Sequence, residues 1–107
     1  MDTIIVKELV DQIRSVVNFS GFTVESVASH GLFISLELIS KKRFRKKNYH
    51  LAVSRSLNGI LTAERELSRK YKGDILIYDP VNFLPEPTFS YVHLFHDLDA
   101  LQNFLSE

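Results

Sequence analysis

The segment DILIYD, residues 74–79, is the feature that most constrains the fold of this chain. Every position from Ile75 to Tyr78 is apolar, so a strand here would have two apolar faces. Such a short strand is typical of the middle of a sheet that other elements cover. The segment FSYVHLF, residues 89–95, is similar. We therefore predict two adjacent central strands with four fully buried side chains: Ile75, Ile77, Val92 and Leu94.

Two further strands and two helices follow from hydrophobic periodicity. Residues 4–18 carry apolar side chains at helical spacing, which predicts an amphipathic helix. Residues 22–28 and 32–39 alternate on either side of the turn sequence SHG, which predicts a hairpin. The chain closes with HDLDALQNFLSE, where Asp97 is a suitable N-cap for a short helix.

The middle of the chain allows two interpretations. We favour a strand near residues 47–54 followed by a helix near residues 57–72, although Asn58-Gly59 is also a hairpin-turn dipeptide. The alternative is one long helix over residues 50–72. In the favoured interpretation one helical face carries five apolar side chains: Leu57, Ile60, Leu61, Leu67 and Tyr71.

The resulting order, α-β-β-(β)-α-β-β-α, predicts an α+β fold. We expect a single globular domain over residues 1–107, because this length suits one hydrophobic core. Its architecture would be a two-layer sandwich, with helices packed on an antiparallel or mixed sheet of four to five strands.

Charge is strongly segregated along a chain whose net charge is zero. Residues 41–73 carry eleven basic and two acidic residues, a net charge of +9, whereas residues 74–107 carry six acidic residues and no lysine or arginine. The clearest feature is the run KKRFRKK, in which six basic residues surround one phenylalanine. A second basic stripe is predicted on the middle helix. Together they form a candidate anion-binding site: Lys41, Lys42, Arg43, Phe44, Arg45, Lys46, Lys47, Arg65, Arg69 and Lys72.

A polyanion could replace the counter-ions of this site, and Phe44 could stack on an unpaired base. The alternative is a solvated connection whose charges only maintain solubility and block strand pairing. In either case we expect residues 40–48 to be the most mobile segment of the free protein apart from the termini, since exposed ion pairs contribute only about 0–1 kcal/mol each.

A different interface is indicated by the segment PVNFLPEPT, residues 80–88, whose three prolines exclude regular structure. Phe83 and Leu84 are apolar residues in this proline-rich segment. They could cover the core, or they could anchor a protein partner, including a second copy of the chain.

Enzyme chemistry finds little support in the sequence. Cysteine is absent, and no common nucleotide-binding, hydrolase or metalloprotease motif occurs. His93 and His96 are three residues apart, with Asp97 and Asp99 as candidate third metal ligands. Because Asp97 is needed as a helix cap and ordinary strand-end roles explain the histidines, we expect neither metal nor cofactor. The beginning of the chain resembles neither a signal peptide nor a membrane span, and the composition favours a cytoplasmic protein without a membrane partner.

The sequence therefore favours a non-enzymatic binding module that contacts nucleic acid or an acidic protein surface. The alternative is a protein-interaction or adaptor domain, homodimeric through the proline-rich segment and apolar strand edges.

Overall fold

The computed structural model describes residues 3–42 and 47–107, with the side chains of the first helix described from Lys7 onward. These residues form three helices and five strands in the predicted order. Their bounds are α1 Thr3–Phe19, β1 Phe22–Ser29, β2 Ile34–Ser40, β3 Asn48–Val53, α2 Leu57–Lys70, β4 Ile75–Tyr78, β5 Val92–Phe95 and α3 Leu98–Leu105.

The five strands form one mixed sheet in the order β1-β2-β3-β4-β5. Strands β1, β2 and β3 pair antiparallel, which confirms the predicted hairpin, whereas β3, β4 and β5 pair parallel. Helix α2 makes the crossover from β3 to β4. The crossover from β4 to β5, residues 79–91, includes the proline-rich segment and contains no helix. The α+β class and the mixed sheet are thus confirmed.

Helices cover both faces of the sheet. On one face, Leu36, Leu51 and Leu76 pack with α1 and α3. On the other face, Ala52 and Ile77 pack with α2 and with Leu84 of the proline-rich segment. The sandwich therefore has three layers, with the sheet in the middle, rather than the two layers predicted. Successive strand residues alternate between two separate hydrophobic clusters, because side chains alternate across a sheet.

The strand order decides how deeply the two apolar strands are buried. Ile75 and Ile77 of β4 are fully buried, and Val92 of β5 is nearly so. Leu94 is only half-buried, which corrects our prediction, because β5 lies at the edge of the sheet and not at its centre.

The middle of the chain forms a strand and then a helix, so the alternative of one long helix is wrong. The side chain of Ser56 caps α2 by accepting a hydrogen bond from the Gly59 N–H at 3.0 Å. Asn58-Gly59 therefore lies in the first turn of a helix and not in a hairpin turn. A Cβ at Gly59 would collide with the Ser54 side chain and with the Leu32 carbonyl oxygen, so glycine is needed there for close packing.

The buried face of α2 differs from the predicted one. Ile60 and Leu67 are buried as expected, but Leu57 and Leu61 are 43% and 44% exposed. Ala63 and Glu64 take the buried positions in their place. Within the described residues, no helix is long and apolar enough to cross a membrane.

Candidate functional site

The predicted basic run is described only at its two ends. Lys41, Lys42 and Lys47 are exposed, and the four residues between them, Arg43, Phe44, Arg45 and Lys46, lie outside the described residues. The backbone at the ends is held in place, because the Ser40 N–H donates to the Lys47 carbonyl at 3.3 Å. The expected mobility of residues 40–48 stays a prediction.

The second predicted basic element is divided by the end of α2. Arg65 and Arg69 are exposed on the helix, whereas Lys72 lies beyond its last residue, Lys70. The uninterrupted helical stripe that we predicted is therefore wrong. Lys72 instead lies beside the beginning of β3, where it faces the same cleft as Lys47.

We call this depression of about 420 Å³ the basic cleft. Three lysines from two separate parts of the chain line it: Lys47, Lys70 and Lys72. Asp74 also lines it, and its carboxylate lies 3.2 Å from His93 Nε2. Lys70 was not among the predicted site residues, because on a helix it does not share the face of Arg65, Arg69 and Lys72. Its position in the last turn of α2 was the signal that could have found it.

Two stacked rings form one wall of the basic cleft. His50 of β3 and Tyr71 have ring centroids 3.4 Å apart and planes inclined by 13°. The Lys70 ammonium lies 5.4 Å from the centre of the Tyr71 ring, within the range of a cation–π contact. Burial lowers the pKa of His50; the Glu37 carboxylate raises it in part, and Lys70 lowers it. The imidazole is therefore neutral at neutral pH.

A second cleft, of about 210 Å³, lies on the other side of the same wall, and we call it the polar cleft. His50, Lys70 and Tyr71 line both clefts, so the two are contiguous. Strands β1 and β2 contribute mainly small or polar side chains to the polar cleft, namely Ser26, Ala28, Ser35 and Glu37, and His30 joins them from the turn after β1. The sequence signal was the polar face of β2, where Ser35 and Glu37 alternate with the buried Leu36 and Leu38.

Strand pairing explains how the polar cleft is built. Ser26 of β1, Glu37 of β2 and His50 of β3 are neighbours across the antiparallel strands. Directly paired residues point to the same face of a sheet, so the three side chains form one row. The Ser26 hydroxyl lies 3.5 Å from Glu37 Oε2, a long contact. Glu37 thus keeps most of its capacity to accept hydrogen bonds.

No described lysine or arginine lies within 4 Å of a described carboxylate. Within residues 3–42 and 47–107, the ion pairs closer than 4 Å both involve histidine, namely His93 with Asp74 and His96 with Asp79. Among the described residues, therefore, no carboxylate competes with an anionic ligand for the lysines of the basic cleft.

The two residues predicted as a protein interface separate in the structure. Leu84 packs against the cluster beneath α2, and its N–H donates to the buried Asp79 Oδ2 at 3.0 Å. Phe83 is 37% exposed, and it is accompanied by Val81 and Phe89, which are 47% and 45% exposed. Leu84 therefore covers the core, whereas Phe83 is one of three exposed apolar residues in the connection between β4 and β5.

The histidines hold no common metal position. His96 Nδ1 donates to the Asp79 carbonyl at 3.0 Å, while Asp97 caps α3 by accepting from the Ala100 N–H at 2.7 Å. Within the described part of the chain, no group of three or more histidine, aspartate or glutamate side chains is placed to bind a metal ion.

Neither a known family model, a curated protein nor a solved structure matches this chain. The two clefts are therefore the features of this protein that bear on its function.

Proposed function

We propose that this protein is a non-enzymatic module that binds a polyanion, nucleic acid in the first place, through the basic cleft. The observation that carries the proposal is the meeting of Lys47 with Lys70 and Lys72 around one depression. Lysines from two separate segments bind a chain of phosphates well, because each contact releases a condensed counter-ion. The same charges would recognise an acidic protein surface. Comparing an acidic peptide with an oligonucleotide distinguishes these two ligands.

Two further observations support a nucleic acid over an acidic protein. The sequence adds Lys41, Lys42 and the run that follows them to the connection that ends at Lys47, which lengthens the positively charged segment. Aromatic rings line the basic cleft beside the lysines, as in proteins that bind single strands by combining charge with base stacking. A cytoplasmic location stays a prediction from the composition.

Equilibrium binding to a fluorescent single-stranded oligonucleotide over a range of salt concentrations tests the proposal. Lys70→Gln with Lys72→Gln should lower the slope of log K against log salt by about 1.4, since each phosphate contact with a single strand contributes about 0.7. The matched control is Lys7→Gln with Arg14→Gln, which removes the same charge from exposed positions of α1.

The control pair should bind like the wild type. Equal slopes in the two double variants would overturn the role of the basic cleft. If an acidic peptide binds more tightly than any oligonucleotide, the ligand of the basic cleft is an acidic protein surface and not a nucleic acid.

A second candidate function, self-association, is favoured by three exposed apolar residues of the connection between β4 and β5: Val81, Phe83 and Phe89. Exposed aromatic side chains are typical anchors of protein interfaces. Sedimentation at increasing concentration should then show dimers that Phe83→Ser dissociates and that salt leaves unchanged. A monomer at all concentrations would exclude this candidate.

A further inference from the structure

We propose that the polar cleft accepts one base of the bound strand and that Glu37 selects guanine. This inference rests on the proposed function, because the strand must first be held by the basic cleft. The proposed contacts between lysines and phosphates occupy only the basic cleft, and this inference assigns a ligand to the polar cleft.

The position of the polar cleft supports this assignment. The basic cleft and the polar cleft share His50, Lys70 and Tyr71 as their common wall. A nucleotide joins a charged phosphate to an uncharged planar base. A phosphate among the lysines of the basic cleft would therefore have its own base, or the neighbouring one, beside the polar cleft.

The lining of the polar cleft suits a flat heteroaromatic ring. The His30 and Phe33 rings contribute to it as a stacked pair, with centroids 4.5 Å apart and planes inclined by 16°. His50 and Tyr71 contribute a second stacked pair. Side chains as small as Ser26 and Ala28 belong to the sheet surface of the cleft and leave room there. Unpaired bases are commonly held by aromatic side chains together with hydrogen bonds to their edges.

Glu37 determines which base edge fits. Its carboxylate is half-buried, and within the described residues no lysine or arginine lies within ion-pairing distance of it. An ionised carboxylate only accepts hydrogen bonds, and its two oxygens can accept from two adjacent donors. The Watson–Crick edge of guanine presents two adjacent donors, N1–H and N2–H. Adenine, cytosine and uracil each place an acceptor beside their donor, and the carboxylate repels that acceptor.

The experiment compares four oligonucleotides: a run of uridines, and the same run with one central guanosine, adenosine or cytidine. The wild type should bind the guanosine-containing strand at least about five-fold more tightly than the others, the lower end of what one bidentate base contact contributes. Glu37→Gln should reduce this preference to less than about two-fold, because an amide presents one acceptor beside a donor. Its affinity for the uridine run should be unchanged or higher, because the variant removes a negative charge.

Two controls separate the possible outcomes. Glu8→Gln removes the same charge from an exposed position of α1, and it should keep the guanosine preference. Free guanosine 5′-monophosphate should displace the strand from the wild type more effectively than adenosine 5′-monophosphate, which tests the base preference without any variant.

Binding of all four strands with equal affinity would overturn the inference and leave the proposed function standing. A guanosine preference that persists in Glu37→Gln would overturn the role of Glu37. Failure of every strand to bind would overturn the proposed function, and the inference with it.

Discussion

The ring of His50 stacks on the ring of Tyr71 with centroids 3.4 Å apart, which links strand β3 to the residue that follows helix α2. This contact forms the wall between the basic cleft and the polar cleft. The lysines of the helix end are thereby placed beside Lys47, although the two segments are more than twenty positions apart in the sequence. The stack is thus a structural support of the proposed site.

The stack makes the stability of the protein depend on pH. Burial lowers the pKa of His50, so below about pH 6.5 the unfolded chain takes up a proton that the folded protein resists. The free energy of unfolding should therefore fall as the pH is lowered through this range and level off below the folded-state pKa. His50→Phe keeps an aromatic ring and loses the titration. Urea unfolding at about pH 5 and pH 8 should show a smaller difference between the two pH values for this variant than for the wild type.

Gly59→Ala should destabilise the protein even though alanine is the better helix former. Its Cβ would collide with the Ser54 side chain and the Leu32 carbonyl oxygen, and such overpacking costs about 1–3 kcal/mol. Asn58→Ala is the matched control, because this residue is exposed in the same helical turn. Chemical denaturation should show a clear loss for the first variant and a change within about 0.5 kcal/mol for the second. Equal stability of the two variants would contradict the close contact.

The two paired residues Ile77 and Leu94 should respond differently to the same truncation. Ile77→Ala should cost about 2–5 kcal/mol, because it leaves a cavity at a fully buried position. Leu94→Ala should cost less, because the side chain is half-buried on an edge strand. Thermal melts of both variants measure the difference. If Leu94→Ala lost more stability than Ile77→Ala, β5 would not be an edge strand in solution. It would instead pair with a further strand, as in a dimer joined at this edge.

The buried Asp79 should hold the proline-rich segment against the sheet. Its Oδ2 accepts a hydrogen bond from the Leu84 N–H at 3.0 Å, and leaving a buried donor without its acceptor costs about 1–3 kcal/mol. Asp79→Ala should lower the free energy of unfolding by this amount and increase proteolytic cleavage within residues 80–90. Asp99→Ala, at an exposed position of α3, serves as the control. Cleavage at the same rate in both variants would show that this bond does not hold the segment.

The positions of the helices and strands could be predicted because their signals are local. The helical spacing of Ile13 and Val17, the alternation of Leu36 and Leu38, and the cap at Asp97 all depend on residues a few positions apart. The exposed Leu57 and Leu61 show where this fails. Periodicity indicates that a helix has an apolar face, but the neighbouring elements decide which of its apolar residues they cover.

The sequence by itself determined the order of the elements, the α+β class and the segregation of charge, since these follow from local periodicity and composition. Only the tertiary structure decided that β5 is an edge strand, that α2 lies on the opposite face from α1 and α3, and that Lys47 meets Lys70 and Lys72 rather than Arg65 and Arg69. The physical reason is that strand pairing and crossovers bring together residues far apart in the chain. Parallel or antiparallel pairing is chosen by the packing of the whole domain. The polar cleft depends on the same long-range pairing, because Ser26, Glu37 and His50 form a row only when three strands lie side by side.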